Sequence, residues 1–386
     1  MDNQHFRSID TLRGIAALAI CLYHAHAIFG LNVLVPHAYL AVDLFFILSG
    51  FILVQRYAPE IESESSKISF SDFAIVRLAR LYPLYLLVSI IGALYFAAWL
   101  FINGQLFLNF KNYVLAIINS IIAIPYFSKP FDEVGAVFPF ATQAWSIFWE
   151  IIVSLAFYFH IKYKNNYAFL ISIIGFCILV FQTFSNNTID GGWQAHNFLI
   201  GGLRAFTGFF MGVFTAEIYV QIKNKNQKSK INIFEFFAFV FLTLTLIYCI
   251  FSKQSHFTTE TCLIFVGFPT IVIGAANSQA AILNNKIGDF LGKISFSIYL
   301  LHGIMAAVFI TILNKTSIIK PGFVTGITWL GIVIICSFLS YKIYEAPSRK
   351  FFKSLFKSKT SPAKISKPID RWFDLVNNKN LQKPLA

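Results

Sequence analysis

The sequence predicts an all-α fold, a polytopic bundle of transmembrane helices with about ten spans and one short re-entrant or interfacial segment. Hydrophobic residues make up 57% of the 386 residues and charged residues only 13%. Soluble domains average roughly 45–50% apolar and about 25% charged residues. Runs of about twenty apolar residues, the length that crosses a bilayer, recur along the chain. They are evenly distributed, which favours one membrane domain over residues 1–345 and excludes a soluble enzyme.

The loops between the apolar runs indicate which runs cross. The runs are 14–31, 40–55, 81–102, 113–125, 145–161, 167–184, 198–220, 231–252, 259–282, 294–313 and 323–344. Loops rich in Lys and Arg are expected on the cytoplasmic side. If every run crossed, the first loop, 32–39, would lie on the same side as the loop with Lys162 and Lys164 and as all later basic loops. Those basic loops would then be on the outer side. If 113–125, which is short for a span, does not cross, every basic loop and both termini are cytoplasmic.

The formal charge of +13 first suggests a nucleic-acid partner. The basic residues, however, cluster in short loops, the pattern of membrane topology signals. Residues 346–386 form a basic tail, and bases alternate with aromatic residues over 348–357. That pattern predicts a cytoplasmic helix that lies on anionic lipid, with membrane lipid and not nucleic acid as the partner.

The first apolar run carries two ionisable residues on one helical stripe. Arg13 and His24 are eleven residues apart, about three helical turns, which places them on one face roughly 16 Å apart along the axis. Asp10, on the same stripe, is positioned to pair with Arg13. His26 falls on nearly the opposite side. Ionisable groups inside a membrane usually mark a pathway or a reaction centre, although a topology signal for Arg13 and a structural role for His24 are the alternatives.

Two arginines precede the third long run. Arg77 and Arg80 are spaced i, i+3 and are expected on one face. They act either as topology signals or as a phosphate clamp, because guanidinium groups bind phosphates bidentately. With Arg13 at the same level, three arginines are expected to line a cytoplasmic mouth. Asp43, in the first turn of the second run, suits a helix-capping role.

The remaining candidates lie in three later segments. Glu150 is about 7 Å into its helix, where a carboxylate is expected to face a cavity or a partner; Trp145 suits either the site or an interfacial belt. Tyr299 and His302 share a face with Ser295, and His302 is expected near mid-depth, like His24. Glu345 is expected to form an ion pair with Arg349 or with an arginine of the mouth. No H-x-x-x-H or E-x-x-H pair occurs, so a metal site is not predicted.

Together these blocks resemble the integral-membrane acyltransferase type 3 family. The similarity spans about residues 1–350 in the family's order. The matching blocks are the Arg13-x10-His24 signature, Val42 to Phe51, Arg77-x-x-Arg80, Trp145-Ser146 to Glu150, residues 292–302 and Glu345-Ala346-Pro347. Ala346 departs from the family pattern, in which a larger basic residue is common. Without the esterase-like domain that some relatives append, the chain is expected to act as the stand-alone type.

The resemblance implies transfer of an acyl group, usually acetyl, from cytoplasmic acyl-CoA to a hydroxyl of a glycan or lipid-linked saccharide, in a bacterial inner membrane. No cofactor is expected to be bound, because acyl-CoA is a co-substrate. His24 is then the general base, or an acyl carrier. Arg13, Arg77 and Arg80 hold the donor's phosphates, and Arg13 also belongs to the expected catalytic set with His24 and Glu150. Glu150 assists catalysis, and the expected supporting residues are Asp10, Asp43, Trp145, Ser146, Tyr299, His302 and Glu345.

Two other classes remain open from the sequence. A proton-coupled secondary transporter of a glycan or small molecule would also use buried His, Arg and Glu. Such folds usually contain two related halves, which this chain does not show. A membrane glycan polymerase or ligase would need large outer loops, for which only 126–144 is available.

Overall fold

The predicted all-α class is confirmed by the structure, a computed structural model. It describes residues 6–30, 35–62, 68–128, 135–163, 167–184, 188–224, 228–252, 256–278, 283–315 and 320–355. These residues contain no β-strand and one isolated bridge, between Ala136 and Gln194. Most of the basic tail, residues 356–386, lies outside the described residues, and its lipid-binding role stays a prediction.

The described residues form fourteen α-helices. In chain order they are α1 (Arg7–His24), α2 (His26–Phe29), α3 (Leu40–Glu62), α4 (Phe70–Ile102), α5 (Leu106–Ile121), α6 (Ala144–Lys162), α7 (Ala168–Thr183), α8 (Phe198–Asn224), α9 (Lys228–Phe251), α10 (Phe257–Cys262), α11 (Phe268–Asn277), α12 (Lys286–Lys315), α13 (Phe323–Ser340) and α14 (Ala346–Leu355). Two π-helical segments, Leu263–Gly267 and Tyr341–Glu345, join α10 to α11 and α13 to α14.

Seven helical segments of the described chain are long and apolar enough to cross a bilayer. They are Leu40–Ile61, Phe70–Ile102, Ala144–Lys162, Ala195–Lys223, Phe257–Asn277, Lys286–Lys315 and Phe323–Phe352. Three shorter apolar helices are Leu106–Ile121, Ala168–Phe181 and Glu235–Tyr248. The chain is therefore a multi-pass membrane protein, while the count of ten crossings stays a prediction.

The segment expected not to cross, 113–125, lies largely in α5, a helix of 16 residues that begins earlier, at Leu106. Such a helix measures about 24 Å by its rise per residue, less than the roughly 30 Å hydrocarbon core. Its first turn carries the most exposed apolar side chains of the helix, Phe107 and Leu108. Because α7 is also 16 residues long, length alone does not distinguish α5 from a crossing helix, and its re-entrant or interfacial placement stays a prediction.

Glycines allow two pairs of helices to approach backbone to backbone. A Cβ at Gly50 of α3 would lie 2.0 Å from the carbonyl oxygen of Phe209 in α8, and one at Gly212 of α8 would lie 2.0 Å from that of Ile47. Between α1 and α12, a Cβ at Gly292 would lie 2.5 Å from the carbonyl oxygen of Asp10. This is the small-residue packing expected between helices in membranes.

Two loops at one end of the bundle pack against each other and set the start of α6. The backbone N–H of Val137 donates to the carbonyl of Trp193 over 3.0 Å. The side-chain oxygen of Asn197 accepts from the N–H groups of Gly192 and Gln194, each over 3.0 Å. These bonds hold the segment that delivers Gln143 and Trp145 to the bundle interior.

Candidate functional site

A cavity opens between α1, α3, α4, α6 and α12. Its polar lining residues are Arg13, Ser49, Arg80, Ser146, Glu150, Ser295 and Tyr299. Most of its other lining side chains are apolar and come from α3, among them Phe45, Phe46 and Ile52. Five blocks that are distant in the sequence therefore contribute to one chamber, whose lining combines ionisable and apolar side chains.

Two of the three predicted mouth arginines line this cavity. Nη1 of Arg13 donates to Oδ1 of Asp10 over 3.2 Å, which confirms the predicted pairing within α1. Arg80 contributes from α4, and among the described residues the structure records no ion pair for it. Arg13 and Arg80 also lie within electrostatic range of each other. Two guanidinium groups at one wall form a surface suited to an anion.

Arg77 differs from the expectation that all three arginines line the mouth. Its side chain is only 2% exposed, and Nη2 donates to Oε1 of Glu150 over 2.8 Å. Ser49 donates to the same oxygen over 3.0 Å. Arg77 therefore points towards α6 and is not free to line the mouth. Glu150 lines the cavity as predicted, but its charge is compensated by Arg77.

His24 and His302 meet, as their similar expected depths suggested. Their ring centroids lie 5.2 Å apart at an interplanar angle of 30°. His24 ends α1, next to the break at Ala25, and is exposed. His302 is fully buried in the middle of α12. His24 does not line the cavity; Tyr299, which does, lies 6.1 Å from His302 ring to ring.

A chain of hydrogen bonds links the cavity wall to His302. The Ser146 and Tyr299 hydroxyls are 2.6 Å apart, and Ser146 also donates to the carbonyl oxygen of Gln143 over 3.0 Å. The side-chain amide nitrogen of Gln143 lies 3.3 Å from Nε2 of His302. Sequence reasoning missed Gln143; the available signal was an amide residue two positions before Trp145.

Asp43 forms a buried ion pair that the sequence analysis missed. Both of its carboxylate oxygens accept from Arg204, from Nε over 3.1 Å and from Nη2 over 2.7 Å, and both side chains are 1% exposed. Arg204 also donates to the carbonyl oxygens of Gly191 and Tyr39. Asp43 therefore ties α3 to α8 and is not a simple helix cap. The overlooked signal was a lone arginine within the apolar run 198–220.

Trp145 belongs to this buried assembly and not to an interfacial belt. Its ring lies 5.4 Å from the guanidinium carbon of Arg204, and the residue is 6% exposed. The neighbouring Asp190, in the loop before α8, lies 3.8 Å from Nη1 of Arg204. Burial raises the pKa of Asp190 and the Arg204 charge opposes that rise.

A second buried polar cluster surrounds Glu260. Its carboxylate accepts from the hydroxyls of Tyr39 and Tyr248 and from the backbone N–H of Ile189. His37 stacks on Tyr248 with centroids 4.3 Å apart and places Nδ1 3.8 Å from the carboxylate. Burial lowers the pKa of His37 and raises that of Tyr39. Because the Tyr39 ring also contacts Tyr23, beside His24, this cluster supports the wall around the histidine pair.

Glu345 pairs with Arg349, one of its two predicted partners. It is 2% exposed, ends the π-helical segment Tyr341–Glu345, and accepts from the Ser297 hydroxyl over 2.5 Å. Arg349 lies over the ring of Phe296, a cavity-lining residue. Glu345 thus connects α12 to the helix that leaves the bundle. Within the described residues, no three His, Cys, Asp or Glu side chains form a potential metal cluster.

Comparison with known proteins gives three findings. The sequence model described as an acyltransferase domain matches residues 6–341. Protein 2 in the picA locus of Rhizobium radiobacter is 34% identical over 164 residues, which are 40% of this chain and 81% of that protein. The peptidoglycan O-acetyltransferase OatA of Listeria monocytogenes is 23% identical over 394 residues, which are 96% of this chain and 60% of that protein. The chain therefore spans about 60% of the length of this O-acetyltransferase. No solved structure matches the chain.

Proposed function

Because the chain belongs to the acyltransferase type 3 family, a membership established by the match over residues 6–341, we propose that it moves an acetyl group from acyl-CoA to a hydroxyl of a glycan or lipid-linked saccharide. The membership confirms the motif resemblance and makes the chain an acyltransferase. It favours an enzyme over the transporter that the sequence left open. The similarity to a peptidoglycan O-acetyltransferase supports an oxygen nucleophile on a saccharide.

One observation carries the proposal: two arginines line the cavity, and its lining residues Ser146 and Tyr299 connect through Gln143 to a histidine pair. Acyl-CoA carries several phosphates, and Arg13 and Arg80 are placed to bind them. The donor would enter from the cytoplasmic side, where the basic loops are predicted. Its thioester would extend along the apolar wall towards Ser146 and Tyr299, in a bacterial inner membrane.

His24 is the proposed base at the far end of this path. A hydroxyl is a weak nucleophile until a base takes its proton, and imidazole suits that task near neutral pH. His24 would take the proton while the acceptor oxygen attacks the thioester carbonyl. The carbon–sulfur bond then breaks, and His24 passes its proton to the departing CoA sulfur. The products are the ester and free CoA. In the alternative route His24 first carries the acyl group itself.

The exposure of His24 supports access for an acceptor that does not pass through the cavity. In this arrangement donor and acceptor approach the histidine from different sides. Glu150, neutralised by Arg77, would fix the shape of the donor chamber and contribute no proton transfer. Tyr299 and Ser146 would border the thioester.

Transfer of labelled acetyl groups from acetyl-CoA in inverted membrane vesicles tests the proposal. We expect His24→Ala to lose transfer by about 10²-fold or more, the scale of general acid–base catalysis. His26→Ala is the matched control, because His26 is an exposed neighbour whose ring contacts only the carbonyl of Tyr23 among its recorded hydrogen bonds in the described chain. Undiminished transfer by a folded His24→Ala protein would exclude the proposed base.

A further inference from the structure

The Gln143 amide fixes the hydrogen-bonding state of His302. Nδ1 of His302 lies 3.1 Å from the carbonyl oxygen of Ile298, an acceptor that requires a proton on Nδ1. The Gln143 amide nitrogen, 3.3 Å from Nε2, is a donor and requires a lone pair there. Both conditions hold together only for the neutral tautomer that carries its proton on Nδ1. His302 is 0% and Gln143 8% exposed, so water does not readily replace either partner.

The surrounding structure keeps this amide in place. A Cβ at position 303 would lie 1.9 Å from the Gln143 amide nitrogen, so Gly303 provides the space that the amide occupies. The main-chain oxygen of Gln143 accepts from Ser146 over 3.0 Å and lies 3.4 Å from the Tyr299 hydroxyl. Gln143 is thus held both at its backbone and at its side chain.

The face of the fixed ring is directed at His24, with centroids 5.2 Å apart. The titratable groups around the histidine pair are Tyr23 and His26 beside His24 and Tyr299 on the turn before His302. The charged groups that act on these tyrosines from neighbouring elements are Asp190, Arg204 and Glu150. A proton gained by His302 would introduce a cation directly beside the proposed base. Two like charges at this separation inside the protein repel each other.

We propose that Gln143 is a positioning residue that keeps His302 neutral, so that His24 faces an uncharged ring when it takes the acceptor's proton. This inference rests on the proposed function, because it assigns His24 as the base. It adds a residue that neither the family match nor the sequence motifs identify.

The decisive variant is Gln143→Glu, which keeps the shape of the side chain but replaces the donor by an acceptor. Nε2 of His302 would then bind a proton for the carboxylate while Nδ1 still donates to Ile298, making the ring a cation. We expect kcat for acetyl transfer to fall about 10-fold, because the imidazolium repels the charge that develops on His24 and the carboxylate at Nε2 offsets that repulsion only in part. The KM for acetyl-CoA should stay within about twofold, because the arginines are untouched. Gln221→Glu, at an exposed position of α8, is the matched control and should leave both constants unchanged.

A second variant separates charge from loss of structure. In Gln143→Glu/His302→Asn, position 302 cannot carry a charge, so kcat should rise above that of Gln143→Glu towards that of His302→Asn alone. A wild-type kcat in Gln143→Glu, or a double variant no faster than Gln143→Glu, would overturn the inference.

Gln143→Met covers the case in which the glutamate variant does not fold. It removes the donor without adding charge and leaves Nε2 free to gain a proton. Its activity should therefore decline more steeply on acidification than that of the wild type, whereas a purely structural defect would lower activity equally at every pH. An unchanged pH profile in a folded Gln143→Met protein contradicts the proposal. The His24→Ala variant, measured in the same assay, separates failure of the proposed function from failure of this inference. Full activity in His24→Ala would show that His24 is not the base, and it would not test whether Gln143 fixes the tautomer of His302.

Discussion

Nη2 of Arg77 lies 2.8 Å from Oε1 of Glu150, so the first arginine of the predicted phosphate clamp is already paired inside the protein. Arg80, one turn further along α4, lines the cavity instead. The two arginines of one motif thus have separate tasks. Arg77 joins α4 to α6, and Arg80 lines the cavity.

We predict that Arg80→Ala raises the KM for acetyl-CoA by about 10- to 100-fold, because a hydrogen bond to a charged group contributes roughly 1.5–3 kcal/mol. The KM for the acceptor should change little. Steady-state kinetics on purified protein in lipid nanodiscs measures both. Arg56→Ala, which removes an exposed arginine of α3, is the control. An unaltered donor KM would remove Arg80 from the donor site.

Arg77→Ala should act on stability before it acts on donor binding. Breaking a buried pair leaves Glu150 uncompensated, at a cost of about 3–5 kcal/mol. The midpoint of thermal unfolding in detergent should therefore fall clearly. Arg77→Met/Glu150→Gln should recover most of the loss, because neither charge then remains buried. A stable Arg77→Ala protein with only a raised donor KM would instead restore the clamp expected from the sequence.

The Asp43 and Arg204 pair offers a double-mutant cycle between α3 and α8. Asp43→Asn and Arg204→Met should each destabilise the protein by about 3–5 kcal/mol, and the double variant should lose much less than their sum. Thermal unfolding of the four proteins gives the coupling. Additive losses would show that the two side chains act independently, despite their 2.7 Å contact.

Topology reporters test whether α5 crosses the membrane. Fusions at Gln105 and Gly135 flank the helix and the segment after it, and both should report the same, outer side. A fusion at Ser69, before α4, should report the cytoplasmic side whether or not α5 crosses, and serves as the control. Opposite sides for the first two positions would mean that the 16-residue helix crosses, which would reverse the orientation of every later segment.

Much of the fold followed from the sequence because the bilayer imposes simple requirements. Apolar runs of the right length must be helical, since no other open structure satisfies its backbone in lipid. The stripe of Asp10, Arg13 and His24 followed from helical spacing alone, and so did the placement of Tyr299 and His302 on one face. The Arg13 to Asp10 bond confirms that reasoning for a local pair.

Helical spacing could not predict which side chains on different helices would pair. Nothing in the spacing of Arg77 and Arg80 indicates that one meets Glu150 and the other a cavity. Arg204 and Gln143 stand alone in apolar or loop sequence, and each acquires its role from a residue more than a hundred positions away, Asp43 and His302.

The sequence by itself determined that this protein is a helical membrane bundle, and its motif blocks indicated the acyltransferase family. The tertiary structure decided which charges neutralise each other and which remain available: Arg77 with Glu150, Asp43 with Arg204, and Arg80 open to the cavity. The physical reason is that helix periodicity is a local property of the chain. The pairing of buried charges instead depends on how helices pack, and close contacts such as those at Gly50 and Gly292 set that packing.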